Sequence, residues 1–531
     1  MDPPEVTIEA PLVVAPPDSF FEMIEDRLNN PRRRSRRSRS DRDPTSDEDS
    51  ATKAARIQTE LQFYRAFYQK YLEVNGLPVA AHQDVSDLAL QRTHEIVSHM
   101  LAGRPDILES MAQNQTYLIV IGKNQVYTDM PEYRHHPNPD FMNERVRGTG
   151  GNPTSFGEEN LLCLPIDRYD DESIAVHEFC HTIDSTLRRI DPTWTERRNA
   201  AFESAREKGL YHQTYAAGSA GEYWAEIAQA YFDCQRVNNW NHGPIGRREQ
   251  LRVYDPTGYD LCRRVFNLGP DQDWRYRWLQ PLPMVSAPPR TPMFAGIAPW
   301  YTKFTWAREF TIVGRGADDA ALLRANEIIR RMFAYRHDIL KALIYDGVKL
   351  VVLGPNESLA ELPEYRGLEH PEDIDHTLRW LPYHPKLKTL VVDQNHLMAP
   401  SEGHQVIRLM AEALYQVTAT RAHEPDYQGN QQYELRVQRM DERFDSKLER
   451  IYQAAMSSEK WRNTAAVHNK VQYWTNGVLA YFDAAAPDGA PIGQPHPITT
   501  REDLRNYDPR LFELVNQTMA YDGKIDWRLS P

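Results

Sequence analysis

Cysteine is scarce in this chain. Its four residues, Cys163, Cys180, Cys234 and Cys262, form no CxxC pair and are too few for a disulfide scaffold. They fix neither an oxidising nor a reducing compartment, and they leave open whether Cys234 and Cys262 pair. Also missing is any apolar run of membrane-spanning length, so no membrane contact is expected. The N-terminus has no basic stretch leading into a long apolar core. No secretory signal is read there, and a cytoplasmic location is expected over a secreted one. Positive charge is in deficit: 62 Lys and Arg face 75 Asp and Glu, a net charge of −13. That balance argues against nucleic-acid binding by the chain as a whole. The Gly-rich stretch 145–160 lacks the Lys-Ser/Thr spacing of a phosphate loop, and reads as a substrate-side loop.

What remains is enough apolar residue, 41% of 531, for two sizeable cores. Residues 1–55 read as a disordered charged tail, whose Arg-rich block at 32–39 is the one feature pointing to a polyanion. A first domain is expected over 56–269, a Pro-rich linker over 270–295 and a second domain over 296–531. In the first, Leu61, Phe63, Phe67 and Tyr71 recur at helical intervals, and Val85–Leu101 gives another helix. Tyr117–Ile121 and Leu161–Pro165 read as short buried strands.

The residues that carry chemistry begin at His177-Glu178-Phe179-Cys180-His181, inside a helix expected over Ser173–Leu187. Histidines four apart share a helix face and can grip one divalent metal, with Glu178 beside them to take a proton from an activated water. A second amphipathic helix then carries Glu222 and Glu226. Glu222 has capping-box spacing from Ser219, and Glu226 fits a solvated face. Yet a Glu on a helix after HExxH is also how a His2Glu zinc site is completed. Cys180 sits between the histidines on the core side and reads as packing.

HEFCHTID, followed by a Tyr seven residues before the first Glu of EYWAE, resembles the lethal-factor-like and Pro-Pro endopeptidase group of zinc metallopeptidases, typified by the anthrax lethal factor catalytic domain. The likeness covers roughly residues 60–268. It implies a zincin-like α+β fold, mostly helical with a small sheet, and one Zn2+ per chain held by His177, His181 and Glu222. It also implies Glu178 as general base, Tyr215 as a transition-state hydroxyl, and Glu226 and Asp184 as carboxylates orienting the ligands. Cys180 departs from the family, which has a small glycine there. The missing secretory signal is a second departure, since those enzymes act outside the cell that makes them.

Beyond residue 295 the chain repeats itself. HEIVSHMLAGRPDIL at 94–108 returns as NEIIRRMFAYRHDIL at 326–340, and TYLIVIGKN at 116–124 as VKLVVLGPN at 348–356. EYWAEIAQAYFD at 222–233 returns as QYWTNGVLAYFD at 472–483, and REQLRVYDP at 248–256 as REDLRNYDP at 501–509. Anchors in one order mean duplication of a whole domain. The chemistry is not repeated. Arg408 stands opposite His177, Leu409 opposite Glu178, Glu412 opposite His181, Gln472 opposite Glu222, Asn476 opposite Glu226 and Ala465 opposite Tyr215. The second copy is therefore expected to be metal-free and inactive. The function expected is a zinc endopeptidase acting on a peptide or protein substrate. The alternative is a non-catalytic scaffold built on two metallopeptidase-like domains.

Overall fold

The computed structural model describes residues 7–30, 50–212, 214–235, 243–281, 283–290, 294, 296–334, 336–367, 379–399, 404–419, 444–486, 490–491, 494–519 and 527–529. Two compact units divide at Gln280/Pro281. Each combines helices with a small mixed sheet, compatible with the α+β class. No described helix is long and apolar enough to cross a membrane.

The first unit holds strands β1 (Lys70–Val74), β2 (Leu77–Ala81), β3 (Leu118–Ile121), β4 (Gly148–Thr149) and β5 (Thr154–Gly157). Their order in the sheet is β1-β2-β3-β5-β4. Asn75 and Gly76, both at positive φ, turn β1 back onto β2 as a two-residue hairpin requires. β2, β3 and β5 are parallel, and β4 closes the edge antiparallel to β5. The run Leu118-Ile-Val-Ile121 is apolar on both faces because both faces are covered. Leu118 and Val120 face a large core shared with α3 (Asp87–Met100), α4 (Pro105–Gln113), α7 (Ile174–Ile190) and α9 (Ala220–Tyr231). Ile119 and Ile121 face a second core, built from α1 (Asp18–Asn29) and α2 (Ser50–Phe67).

Several expectations are corrected here. Residues 8–29 are not tail. Phe20, Phe21 and Ile24 of α1 are buried against Tyr68, Tyr71 and Tyr117, Val14 pairs with Tyr71, and Arg27 Nη1 donates to the Gln115 carbonyl at 2.8 Å. Three apolar side chains, each contributing roughly 1.5–3 kcal/mol on burial, fasten a segment whose average composition is polar. The Arg-rich block lies outside the described residues. Tyr71 belongs to β1, not to the preceding helix. After α5 (Pro139–Arg145) the Gly-rich stretch contains β4 and β5, and the strand expected at 161–165 is instead the end of α6 (Glu158–Leu161) and a turn. The linker is anchored at both ends. Trp274 and Tyr276 are buried in the first core, with Arg92 4.4 Å over the Tyr276 ring, while Ser286 pairs with Phe304 of the second unit.

The second unit has strands β6 (Lys303–Ala307), β7 (Phe310–Gly314), β8 (Lys349–Leu353) and β9 (Thr389–Asp393), ordered as numbered. β6 and β7 are antiparallel, and β7, β8 and β9 parallel. Leu381 bridges Val391 antiparallel on the outer side of β9, as Gly148 pairs with Phe156 in the first sheet. Arg147 forks to the Gly122 and Gln125 carbonyls at 3.0 and 2.6 Å and to Glu159. Arg379 does the same to Gly354 and Glu357 at 2.7 and 2.6 Å and to Asp393. Arg248 lies 3.9 Å over the Tyr231 ring and Arg501 4.0 Å over Tyr481, each donating to that tyrosine's carbonyl.

Candidate metal centre

Helix α7 starts where Ser173 accepts a hydrogen bond from the Val176 amide, and its apolar side chains Val176, Phe179, Cys180, Ile183 and Leu187 face the core. That orientation sends His177, Glu178 and His181 to the other side. Ser219 caps α9 by accepting from the Glu222 amide at 3.1 Å, so the capping reading of Ser219 holds. The Glu222 carboxylate does not complete a box, because it reaches the histidines.

The three donor atoms form a near-equilateral triangle. His177 Nε2 lies 3.2 Å from His181 Nε2 and 3.2 Å from Glu222 Oε2, and His181 Nε2 lies 3.3 Å from the same oxygen. Ligands about 2.0–2.1 Å from a tetrahedral zinc ion stand roughly 3.3–3.4 Å from one another, so the donor set fits that ion in kind and in spacing. His177 is held from behind. Its Nδ1 is 3.2 Å from Gln229 Oε1 and 3.5 Å from Glu226 Oε1. Gln229 in turn donates to Glu172 at 3.0 Å, and Gln235 donates to Glu226 at 2.9 Å. Glu172, His177 and Glu226 form a second, fully buried group of possible donors. It engages the opposite ring nitrogen, and we read it as support that fixes the ring.

Electrostatics mark the place as one for a positive charge. Burial alone would depress the His177 pKa, but the hydrogen bond to Glu222 and the charges of Glu226, Glu178 and Glu172 raise it to about 10. Burial would raise Glu222, yet its bonds to both histidines hold it well below the usual carboxylate range. Burial pushes Glu178 above its ordinary value, against the pull of the two histidines. A cation replacing the shared proton meets the same field.

The sheet edge lies against this helix. A Cβ on Gly150 would stand 2.4 Å from His181 Cβ, and one on Gly148 3.0 Å from Glu178 Cγ, so both positions need glycine for the close approach. Tyr215 opens a 3₁₀ turn, 42% exposed, its ring centroid 6.2 Å from that of His177.

Glu226 thus lies beside Nδ1 of His177, whereas Asp184 is turned to other partners. Its carboxylate takes the Trp194 indole at 2.8 Å, Arg198 at 2.5 Å and also Arg188, tying α7 to α8 (Trp194–Glu207). Although i,i+3 spacing leaves it near His181 along the helix, its two oxygens are taken by these three donors. Cys180 is buried in the core with its thiol pKa pushed up by burial, its carbonyl accepting from Trp224 Nε1 at 2.9 Å. All four cysteines are free thiols, so Cys234 and Cys262 do not pair. Gln229, Glu172 and Gln235 were not anticipated. Gln229 was within reach, since Glu222, Glu226 and Gln229 form one stripe at helical spacing.

In the second unit, Trp474 Nε1 donates to the Ala411 carbonyl at 3.1 Å, the counterpart of Trp224 and Cys180. This register puts Arg408, Leu409 and Glu412 at the positions of His177, Glu178 and His181. Gln472 Nε2 meets Glu412 Oε1 at 3.2 Å, and Asn476 turns back to the Gln472 carbonyl at 2.8 Å. Among the described residues, no group of three potential metal ligands gathers there. A comparison with known protein families, curated proteins and solved structures finds no match for this chain.

Proposed function

We propose that this chain is a zinc-dependent endopeptidase with one catalytic centre, in the first unit, acting on a peptide or protein substrate. The observation that carries this reading is the triangle of His177, His181 and Glu222 with Glu178 alongside. When bound, zinc supplies a Lewis acid and brings the pKa of a water toward about 7. Glu178, its proton affinity raised by burial, accepts a proton and returns it to the leaving amine. The Tyr215 hydroxyl donates to the oxyanion that develops on the attacked carbonyl. Gln229 and Glu226 keep Nδ1 of His177 engaged, so that Nε2 is the free donor. β4, the terminal strand of its sheet beside Glu178, offers main-chain hydrogen bonds to an extended substrate. A structural metal site takes four protein ligands. Here three gather and Cys180 faces the core, which favours catalysis over a scaffold role.

We also infer that the second unit is a duplicated zincin-like domain that has lost its ligands. The repeated strand order, the Arg147 and Arg379 forks and the paired tryptophan bonds support that descent. The deciding experiment is metal analysis with a peptide-library digest, run on wild type beside Glu178→Gln. One equivalent of zinc in both and cleavage by wild type alone is expected. Equal cleavage by the variant would remove Glu178 from its role.

A further inference from the structure

The second unit has a cavity where the first has its metal centre. About 310 Å³ in volume, it is lined by Pro382, Tyr383, Glu412, Gln416, Asn469, Val471 and Gln472. Pro382 and Tyr383 directly follow Leu381, whose bridge to Val391 makes this segment the counterpart of β4. Glu412 and Gln472 hold the positions of His181 and Glu222, as the matched tryptophan bonds fix. The cavity therefore occupies the place at which, in the first unit, an edge strand and two helices enclose the proposed substrate groove. Its volume is at the low end of the roughly 300–1,000 Å³ of ligand pockets, about the room one or two amino-acid residues need.

The lining selects a chemistry. Glu412 is 9% exposed, and one of its oxygens accepts from Gln472. A buried carboxylate disfavours phosphates, carboxylates and other anions, and favours a group that donates hydrogen bonds. Asn469 Oδ1 accepts from the Gln472 main-chain amide at 2.9 Å and Gln472 Nε2 is given to Glu412, so Asn469 Nδ2 and Gln472 Oε1 are the donor and acceptor that match the N–H and C=O of a peptide. Tyr383 gives its hydroxyl to Asp346 at 2.6 Å, so the side chain is held in place at the wall, with Pro382 and Val471 adding apolar surface. Leu409, at the position of Glu178, removes the base, so whatever binds is not cut.

We infer that this cavity is a holding site for an extended polypeptide, gripping one or two residues through Glu412 and the neighbouring amides without hydrolysing them. The choice of polypeptide as ligand rests on the endopeptidase reading of the first unit; the cavity and its chemistry do not.

The test uses the full chain carrying Glu178→Gln, so that the probe survives, with a photocrosslinking benzoylphenylalanine at Tyr383. The probe is fluorescein-labelled β-casein, an unfolded polypeptide, and crosslinked sites are mapped by mass spectrometry. Crosslinking is expected, and Val471→Trp, which fills the cavity, should reduce it by at least about fivefold at unchanged melting temperature, the scale of one or two lost hydrogen bonds. If Val471→Trp lowers the melting temperature, the near-isosteric Glu412→Gln takes its place, with a loss of at least about threefold expected. No crosslink, or one that neither variant weakens, overturns the inference. Zinc content and casein cleavage, measured on the chain without substitutions, report separately on the first unit. A crosslink that persists while wild type cleaves nothing would sink the endopeptidase reading and leave the holding site standing.

Discussion

At the same place in the two units, one pair of helices meets in two ways. In the first, Trp224 donates to the carbonyl of Cys180, and Glu222 faces two histidines. In the second, Trp474 donates to the carbonyl of Ala411, and Gln472 faces Glu412. The contact that joins the helices is common to both, whereas the side chains beyond it set opposite demands. Around His177, carboxylates create a field that calls for a cation. Around Glu412, burial raises the carboxyl pKa, with Gln472 and Arg408 opposing. A scaffold bond and a functional group one residue away are therefore separable, and the first can persist while the second is rewritten.

The sharpest way to break this contrast is to remove a ligand. His181→Ala should abolish tight zinc binding and peptide cleavage together, as read by metal analysis and a peptide-library digest. Arg408→Ala should leave both intact. The reverse experiment installs His, Glu, His and Glu at Arg408, Leu409, Glu412 and Gln472. Zinc content should rise from one equivalent toward two, and a value still at one would mean that the two scaffolds are not interchangeable. Next in size, Glu178→Gln should keep zinc and lose a factor of roughly 10²–10⁴ in turnover.

A stability difference follows from His404, at the capping position where the first unit has Ser173. Burial, with Arg324 nearby, lowers its pKa to about 4. The folded unit resists protonation while the unfolded chain takes up a proton near pH 6.5. Stability is therefore undiminished above about pH 6.5 and declines as pH falls toward 4, by about 3 kcal/mol at most. His404→Ser should flatten that slope in denaturant titrations of the second unit's transition. The smallest effect is in the bonds common to both units. Trp224→Phe and Trp474→Phe each remove the indole bond to a helix carbonyl that keeps its main-chain donor, and should cost about 0.5–1.5 kcal/mol in the same titrations.

Much of the candidate site was legible because helices carry local spacing. His177 and His181 four apart, and Glu222 on the next amphipathic helix, are brought together as their periodicity demands. What escaped was decided by distant contacts. Asp184 looked like a ligand's partner by its position in HEFCHTID, yet Trp194 and Arg198 from the next helix claim it. β4 and β5 were hidden in a Gly-rich string, because Gly148 and Gly150 serve the close approach to α7 and not a flexible loop. The hairpin turn between β6 and β7 uses Arg308 and Glu309, both at positive φ, where no residue type announces a turn.

The place of α1 has a practical bearing on how the protein is handled. A boundary drawn from composition, at residue 56, would discard Phe20, Phe21 and Ile24, along with the first turn of α2. What would then meet water is a largely aromatic surface of Tyr68, Tyr71, Tyr117 and Ile119, an adhesive patch in any preparation. A chain trimmed there would clump during purification, and its insolubility would be mistaken for a failure of the helices that carry the candidate metal centre on the far side of the sheet.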